Sequence, residues 1–393
     1  MTTANGAAIT PKVHLMDNRA SSRHKNLDKL GRLLRAAGLR DVVSKGDLVA
    51  VKLTFGERGS TGFIHPVYVA KVVEEIKRAG GRPILTDANT LYSGARSNAY
   101  DSLTTALRNG FSYATVGAPI VILDGLVGHD YREVAISGTI FERVKIGTAI
   151  LDADSLVSLA HFKGHMLGGF GGQIKNLGMG CAPRSGKQMM HSDFRPDIHL
   201  SLCKGCRMCK TWCPEGAISL VEAASLEAAG ERCKETIGAR LVAQVDLEKC
   251  VGCGECVATC PEGAIKVSWD SAAERVQQKM AELALGALEA KRERFLGVSF
   301  ILNVTPDCDC VPWSDASIVP DVGVAAGRDP VALDQACYEL VNAQAGIRTS
   351  ALGDQGVSTP DKFAFLHKVD PTAQLKHGEL IGLGLRSYEL VTA

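Results

Sequence analysis

Eight cysteines carry the plainest chemistry in this chain. They stand as Cys203-Lys-Gly-Cys206-Arg-Met-Cys209-Lys-Thr-Trp-Cys213-Pro214 and again as Cys250-Val-Gly-Cys253-Gly-Glu-Cys256-Val-Ala-Thr-Cys260-Pro261. Three thiolates separated by pairs of residues on a tight loop can each reach a different iron of one [4Fe-4S] cube. The fourth, carried past by a proline-marked turn, reaches a neighbouring cube. The spacing therefore predicts one cluster on Cys203, Cys206, Cys209 and Cys260 and a second on Cys250, Cys253, Cys256 and Cys213. Structural zinc is the competing reading, but zinc usually takes well-separated C-x2-C pairs, not triplets closed by Cys-Pro. The chemistry expected is the transfer of single electrons.

The two runs form an internal repeat at an offset of 47 residues, with 11 of 19 positions identical between 200–218 and 247–265. Such self-similarity predicts two pseudo-symmetric halves, each a cluster loop followed by a short strand. That is the pattern of a bacterial-type dicluster ferredoxin. Ile218 and Ile265 are expected against the clusters, where a dry apolar shell tunes potential. Between the halves, Glu222–Arg240 reads as an added helix, and its Cys233 reads as a plain thiol outside any ligand spacing.

A second chemical stretch runs from His161 to His191. His161, Lys163 and His165 are candidate catalytic groups. Gly171, Gly172, Lys175, Asn176, Arg184, Lys187 and His191 are candidate cofactor-binding residues. Glycines let backbone N–H groups approach a ligand, the cations add positive charge, and a helix starting near Gly172 would add its dipole. That combination suits a phosphate or carboxylate, although neither a dinucleotide fingerprint nor a P-loop is present. The bland alternative is a glycine-rich loop with a solvated charged face.

A third is Asp307-Cys308-Asp309-Cys310. Cys308 and Cys310 could bind a metal with help from Cys181 or His191, hold a cofactor, or act as thiol acids; the alternative is a reduced, partly buried pair. Asp329 reads as a helix cap, Asp334 as facing the same strand ends, and Cys337 as a core thiol.

These residues need a scaffold, and the remaining pattern is α/β. The 393 residues, 46% hydrophobic, can bury a large core. Helices are expected at Asn26–Ala37, Pro66–Arg78, Asn98–Asn109, Ala272–Phe295 and Val331–Ala343. Strands are expected at Leu48–Phe55, Pro83–Asp87, Pro119–Leu123, Ser155–Ala160, Val298–Val304 and Ile318–Val324, and a hairpin at Glu133–Ile146. Alternating strands and helices predict a largely parallel sheet flanked by helices. We read residues 1–192 and 271–393 as one discontinuous α/β domain and 193–270 as an inserted α+β ferredoxin-like module. A net charge of +1 without basic blocks gives no nucleic-acid footprint. No apolar run is long enough to span a bilayer. The first residues carry no secretory signature, and 13 cysteines suit a reducing, cytoplasmic setting.

Taken together, Gly168–Gly180 with Lys187 and His191, then Asp307–Cys310, Pro320-Asp321-Val-Gly323 and Asp329-Pro330-Val-Ala-Leu-Asp334-Gln335-Ala336, resemble the family catalogued as domain of unknown function 362. The resemblance covers nearly the whole chain and implies an iron–sulfur protein with an α/β domain, without specifying a reaction. The leading expectation is an oxidoreductase in which two [4Fe-4S] clusters relay electrons from a donor to a site at the 161–191 loop, where a flavin or a small anionic substrate would bind. One alternative is an electron carrier or adaptor that docks a partner enzyme; another is a non-redox enzyme with structural clusters.

Overall fold

The computed structural model describes residues 10–91, 94–191, 196, 198–213, 215–223, 241–250, 255–265, 273–289 and 291–393. Fourteen strands are labelled in chain order: β1 (Lys12–Asp17), β2 (Leu48–Lys52), β3 (Arg82–Asp87), β4 (Ile120–Ile122), β5 (Tyr131–Ala135), β6 (Arg143–Gly147), β7 (Ser155–His161), β8 (Lys163–His165), β9 (Gly169–Gly171), β10 (Ile218–Glu222), β11 (Leu241–Val245), β12 (Phe295–Ile301), β13 (Gly323–Gly327) and β14 (Glu389–Thr392).

Eight of them form one sheet in the order β14-β1-β13-β12-β7-β2-β3-β4. From β12 to β4 every pairing is parallel; β13 runs antiparallel to both β12 and β1. The sheet thus takes strands from both sides of the cysteine-rich segment. Its central strands β2, β7 and β12 read as apolar runs because both faces are covered. Val49 and Val51 pack into one buried cluster with helices Asn26–Ala36 and Pro66–Arg78. Ala50, between them, packs into the other with helices Gln173–Cys181, Ala273–Leu288 and Pro330–Asn342.

Local chemistry explains the helix limits. Pro66 and Pro330 open their helices at the position where a missing N–H costs nothing, and Asp329 accepts from Val331 N and Ala332 N, both at 2.9 Å. Three expectations shift. The helix expected to reach Phe295 ends at Leu288, because Phe295 and Leu296 are needed as the buried start of β12. The strand expected at Ile318–Val324 lies at Gly323–Gly327. There Gly-Val-Ala-Ala-Gly is a central strand despite weak strand propensity, because burial between β1 and β12 decides it. Strands β1 and β14 complete the far edge.

The cysteine-rich segment carries its own antiparallel ladder, β10 with β11. Gly216 and Gly263, 47 residues apart, share a left-handed backbone with φ of 59° and 60°. Gly205 is required twice over: its φ is 63°, and a Cβ there would lie 2.4 Å from the Leu241 carbonyl oxygen. Ile198, where the chain enters this segment, bridges Ile265, where it leaves. The helix expected at Glu222–Arg240, with Cys233, lies outside the described residues beyond Ala223; Glu222 itself ends β10. Among the described residues no helix is long and apolar enough to cross a membrane.

Candidate functional site

The chain leaves β2 towards the helix on one face and β7 towards the helix on the other. A crevice opens at the carboxyl ends of strands separated in this way, and α/β sheets bind ligands there. Here it is a cleft of about 570 Å³ whose walls include Asp87, Arg96, Lys163, His165, Lys175 and Cys310.

Its floor is an ion network at the ends of β2 and β3. Buried Lys52 lies 2.9 Å from Asp87 Oδ1 and donates to Asn176 Oδ1 at 3.0 Å and the Leu53 carbonyl at 3.1 Å. Arg96 reaches Glu57 at 3.2 Å and Asp87 at 3.3 Å. Asn176 in turn donates to Ser158 Oγ at 2.9 Å and the Leu159 carbonyl at 3.1 Å. Each charge has an opposite partner, which is the condition for keeping it out of water. None of Lys52, Glu57, Asp87 or Arg96 was a sequence candidate. The available signal was a charge closing an apolar run, as in Leu-Val-Ala-Val-Lys52 and Pro-Ile-Leu-Thr-Asp87.

The opposite wall is the turn after β12. His161, the last residue of β7, meets Asp309 Oδ1 through Nδ1 at 2.7 Å and the Leu302 and Asn303 carbonyls through Nε2 at 2.9 and 3.0 Å. Lys163 donates to the His161 carbonyl at 2.7 Å and stands 3.5 Å from Asp309 Oδ2. Burial alone would raise the Asp309 carboxyl, but His161 and Lys163 outweigh it and hold it well below the usual range. Lys175 reaches Cys308 Sγ at 3.1 Å. The hydrogen bond from Cys310 to Cys308, helped by Lys175 and acting against burial, holds the Cys308 thiol well below its ordinary value. The Cys310 thiol is pushed well above. Burial opposes the Lys175 ammonium, yet the two sulfurs keep it more firmly protonated than an ordinary lysine.

At the other end of the cleft burial works against charge. It draws His191 down to about 4, with Lys175 and Lys187 acting in the same direction. His165 is lowered for the same first reason, and its Nδ1 accepts from Gly168 N at 3.0 Å. Burial takes Lys187 down to about 8 against the pull of Asp124, whose own carboxyl burial raises to about 7.

The cleft walls thus bring together Lys163, His165, Lys175, Asn176, Lys187, His191 and Cys310 from the sequence candidates, with His161 and Cys308 buried directly behind. Gly171, Gly172 and Arg184 are not among the wall residues. The helix Gln173–Cys181 directs its first N–H groups at Asp334, with Gln173 N at 2.6 Å and Ile174 N at 2.9 Å, so an internal carboxylate occupies the end expected to meet a ligand. Gly172 is glycine because a Cβ would fall 2.2 Å from Asp334 Oδ1. Gly171 abuts the Lys175 side chain, and Arg184 packs beneath Gly128. Asp329 caps its helix, and Cys337 is buried in the core.

In the cysteine-rich segment, Cys203, Cys206, Cys209 and Cys260 line one small cavity with Leu220, Ala243 and Ile265. Burial raises Cys209 to about 11, and the neighbouring sulfurs of Cys203, Cys260 and Cys206 push the same way. Backbone N–H groups point at sulfur: Ala243 N lies 3.4 Å from Cys203 Sγ and Ala217 N lies 3.2 Å from Cys213 Sγ. Of the other predicted set, Cys213, Cys250 and Cys256 are described, and Cys253 lies outside the described residues. Among the described residues no three side chains gather as a single metal ion would require. A four-iron cube spreads its irons so that each thiolate meets its own, and four thiols lining one cavity suit that donor set.

The segment abuts the cleft. Its helix Glu255–Thr259, carrying Cys256, packs on helix Arg184–His191, whose Lys187 and His191 line the cleft. Leu91, a cleft residue, belongs to the same apolar cluster as Cys209 and Cys256. The rings of His129 and Trp212 meet at 4.6 Å.

These features define a three-layer α/β protein with a charged cleft at the carboxyl edge of its sheet. The chain belongs to the DUF362 family, described as a domain of unknown function, whose profile matches residues 49–339. It is similar to the Thylakoid-associated protein sll1697 of Synechocystis sp., with 27% identity over 168 residues, covering 41% of this chain and 47% of that protein. The chain therefore aligns with about half the length of this curated relative. Among solved structures, the lactate racemase apoprotein of Thermoanaerobacterium thermosaccharolyticum aligns with a TM-score of 0.41 and 11% identity, over 84% of this chain and 57% of that one.

Proposed function

We propose that the protein is an iron–sulfur oxidoreductase in which electrons pass from the cysteine-rich segment to a substrate in the cleft. The observation that carries this reading is the shared packing of Leu91: one side chain belongs to both the cysteine cluster and the cleft wall. Cys203, Cys206, Cys209 and Cys260 would hold one [4Fe-4S] cluster, and Cys250, Cys253, Cys256 and Cys213 the other. When bound, such clusters supply one electron at a time. The N–H groups of Ala243 and Ala217, aimed at sulfur, would stabilise the more reduced, more negative state.

The cleft residues have separate tasks. Lys163, Lys175 and Lys187 would attract a small anion, and His165 and His191, kept neutral by burial, would line its path without repelling it. A flavin is an alternative occupant. An electron donor or acceptor protein would exchange electrons at the exposed Cys206 side. Thirteen cysteines, eight of them in the repeat, suit a reducing, cytoplasmic setting.

Anaerobic purification followed by iron, sulfide and visible-absorbance analysis tests this directly. About eight iron and eight sulfide per chain are expected; stoichiometric zinc overturns the reading. Structured flavin bands would identify a flavin as the occupant of the cleft. Clusters present, with turnover indifferent to Lys163→Met and Lys187→Met, would instead mark a carrier that docks a partner enzyme.

A further inference from the structure

Neither Cys308 nor Cys310 belongs to the eight-cysteine repeat, yet their turn in the cleft wall is braced from several sides. Glu57 N donates to the Asp309 carbonyl at 2.9 Å, Val311 N to the Cys308 carbonyl at 3.1 Å, and Thr305 Oγ1 to the Asp307 carbonyl at 2.7 Å. The Asp309 side chain, between the two thiols in sequence, is clamped by His161 and Lys163. The sulfurs hydrogen-bond each other, Lys175 stands 3.1 Å from Cys308 Sγ, and Cys310 opens on the cleft. A buried thiol pair kept only for packing has no use for a buried ammonium, whose desolvation is costly. One cation beside two hydrogen-bonded sulfurs is the setting of a thiol and a thiolate sharing one proton.

We propose that Cys308 and Cys310 form a reversible dithiol–disulfide couple that exchanges with a small anionic disulfide in the cleft. In the exchange, Cys310 passes its proton to Cys308 and attacks one sulfur of the substrate disulfide. A mixed disulfide forms and the first substrate thiolate leaves. Cys308 then gives up that proton to the departing thiolate and attacks Cys310 Sγ, closing the internal disulfide and releasing the second thiolate. One thiol, one thiolate and one disulfide become one disulfide, one thiol and one thiolate. Two electrons and one proton restore the starting pair. Single electrons from the clusters would supply this return step, which rests on the function proposed above; the exchange does not.

The test uses the full-length protein with its clusters, held anaerobically in graded ratios of glutathione disulfide to glutathione, then acid-quenched, alkylated and digested with trypsin. The peptide spanning 295–328 contains Cys308 and Cys310 and no other cysteine. It is expected to pass from a doubly alkylated form to an unalkylated form two hydrogens lighter than the free dithiol peptide, in a single two-electron transition. A peptide that stays doubly alkylated at every ratio, or links to cysteines elsewhere, overturns the couple. Lys175→Met should slow alkylation of the pair at neutral pH about tenfold, and Lys175→Arg should restore it; an unchanged rate in Lys175→Met removes lysine from the couple. Finally, the oxidised pair is challenged with a one-electron reductant in the wild type and in Cys213→Ala. Faster reduction in the wild type supports delivery through the clusters. Equal rates leave the couple standing and sink the iron–sulfur supply.

Discussion

Cys209 and Cys256 sit in a small apolar cluster hung on a two-stranded ladder, with Cys203, Cys213 and Cys260 only partly covered. Cys308 and Cys310 stand instead at the end of an eight-stranded sheet that is packed on both faces. Among the described residues the first pair has only this small core around it, so under the proposed function bonds to a cluster would contribute much of the folding. The second lies on a scaffold with large buried apolar clusters on both faces, which can spare stability for buried charge. The proposed function thus predicts ligand-dependent order in the cysteine-rich segment beside a cleft that is formed without a ligand.

The largest effect should come from iron removal. Chelation of the reduced protein is expected to abolish amide protection in β10 and β11 while β2, β7 and β12 stay protected in hydrogen exchange. Deleting 196–268 behind a short flexible linker should likewise leave a folded, colourless α/β domain, since Ile198 and Ile265 are already paired. Loss of protection throughout the sheet would erase the contrast. Within the segment, Cys213→Ala should perturb the cluster held by Cys250, Cys253 and Cys256, not the one adjacent in sequence.

Next is the cleft floor. Asp87→Asn leaves buried Lys52 and Arg96 without their shared carboxylate, at a cost of roughly 3–5 kcal/mol in urea unfolding. A change under about 1 kcal/mol, the range of an exposed pair, would mean that water reaches the network.

A smaller effect follows from His191, whose folded pKa of about 4 lies below its ordinary 6.5. As pH falls below 6.5 the unfolded chain takes up a proton that the folded chain refuses until about 4. This contribution is therefore fully present above 6.5 and is lost on the way down. His191→Gln should remove on the order of 2 kcal/mol of the stability difference between pH 7 and pH 5. An identical pH profile in the variant would place the histidine in water. Smallest is Arg348→Ala, which breaks an ion pair with Asp354 whose side chains are both about three-quarters exposed. Its effect should stay within about 1 kcal/mol.

Much of the scaffold was legible before folding. Pro66, Pro330 and Asp329 mark helix starts by local backbone chemistry, and β2, β3 and β7 read as apolar runs because a parallel sheet is dry on both faces. β13 was misplaced because its glycines and alanines carry no propensity signal, and only its neighbours make it a strand. The eight repeat cysteines were legible because each run of four is a spacing along one short stretch of chain. The charged floor was not, since Lys52, Asp87, Arg96 and Asn176 stand on separate segments that no local pattern connects.

The sequence by itself determined the elements, the cysteine repeat and the density of cations and histidines around 161–191, because each is a short-range property of neighbouring residues. Only the tertiary structure decided which of them share a space. It set helix Arg184–His191 against helix Glu255–Thr259 and Lys175 against Cys308. It also turned the N-terminus of helix Gln173–Cys181 onto Asp334 instead of a ligand. The physical reason is that a charge can be held in a dry interior only beside its partner. Those partners come from strands and turns that become neighbours only once the sheet has closed.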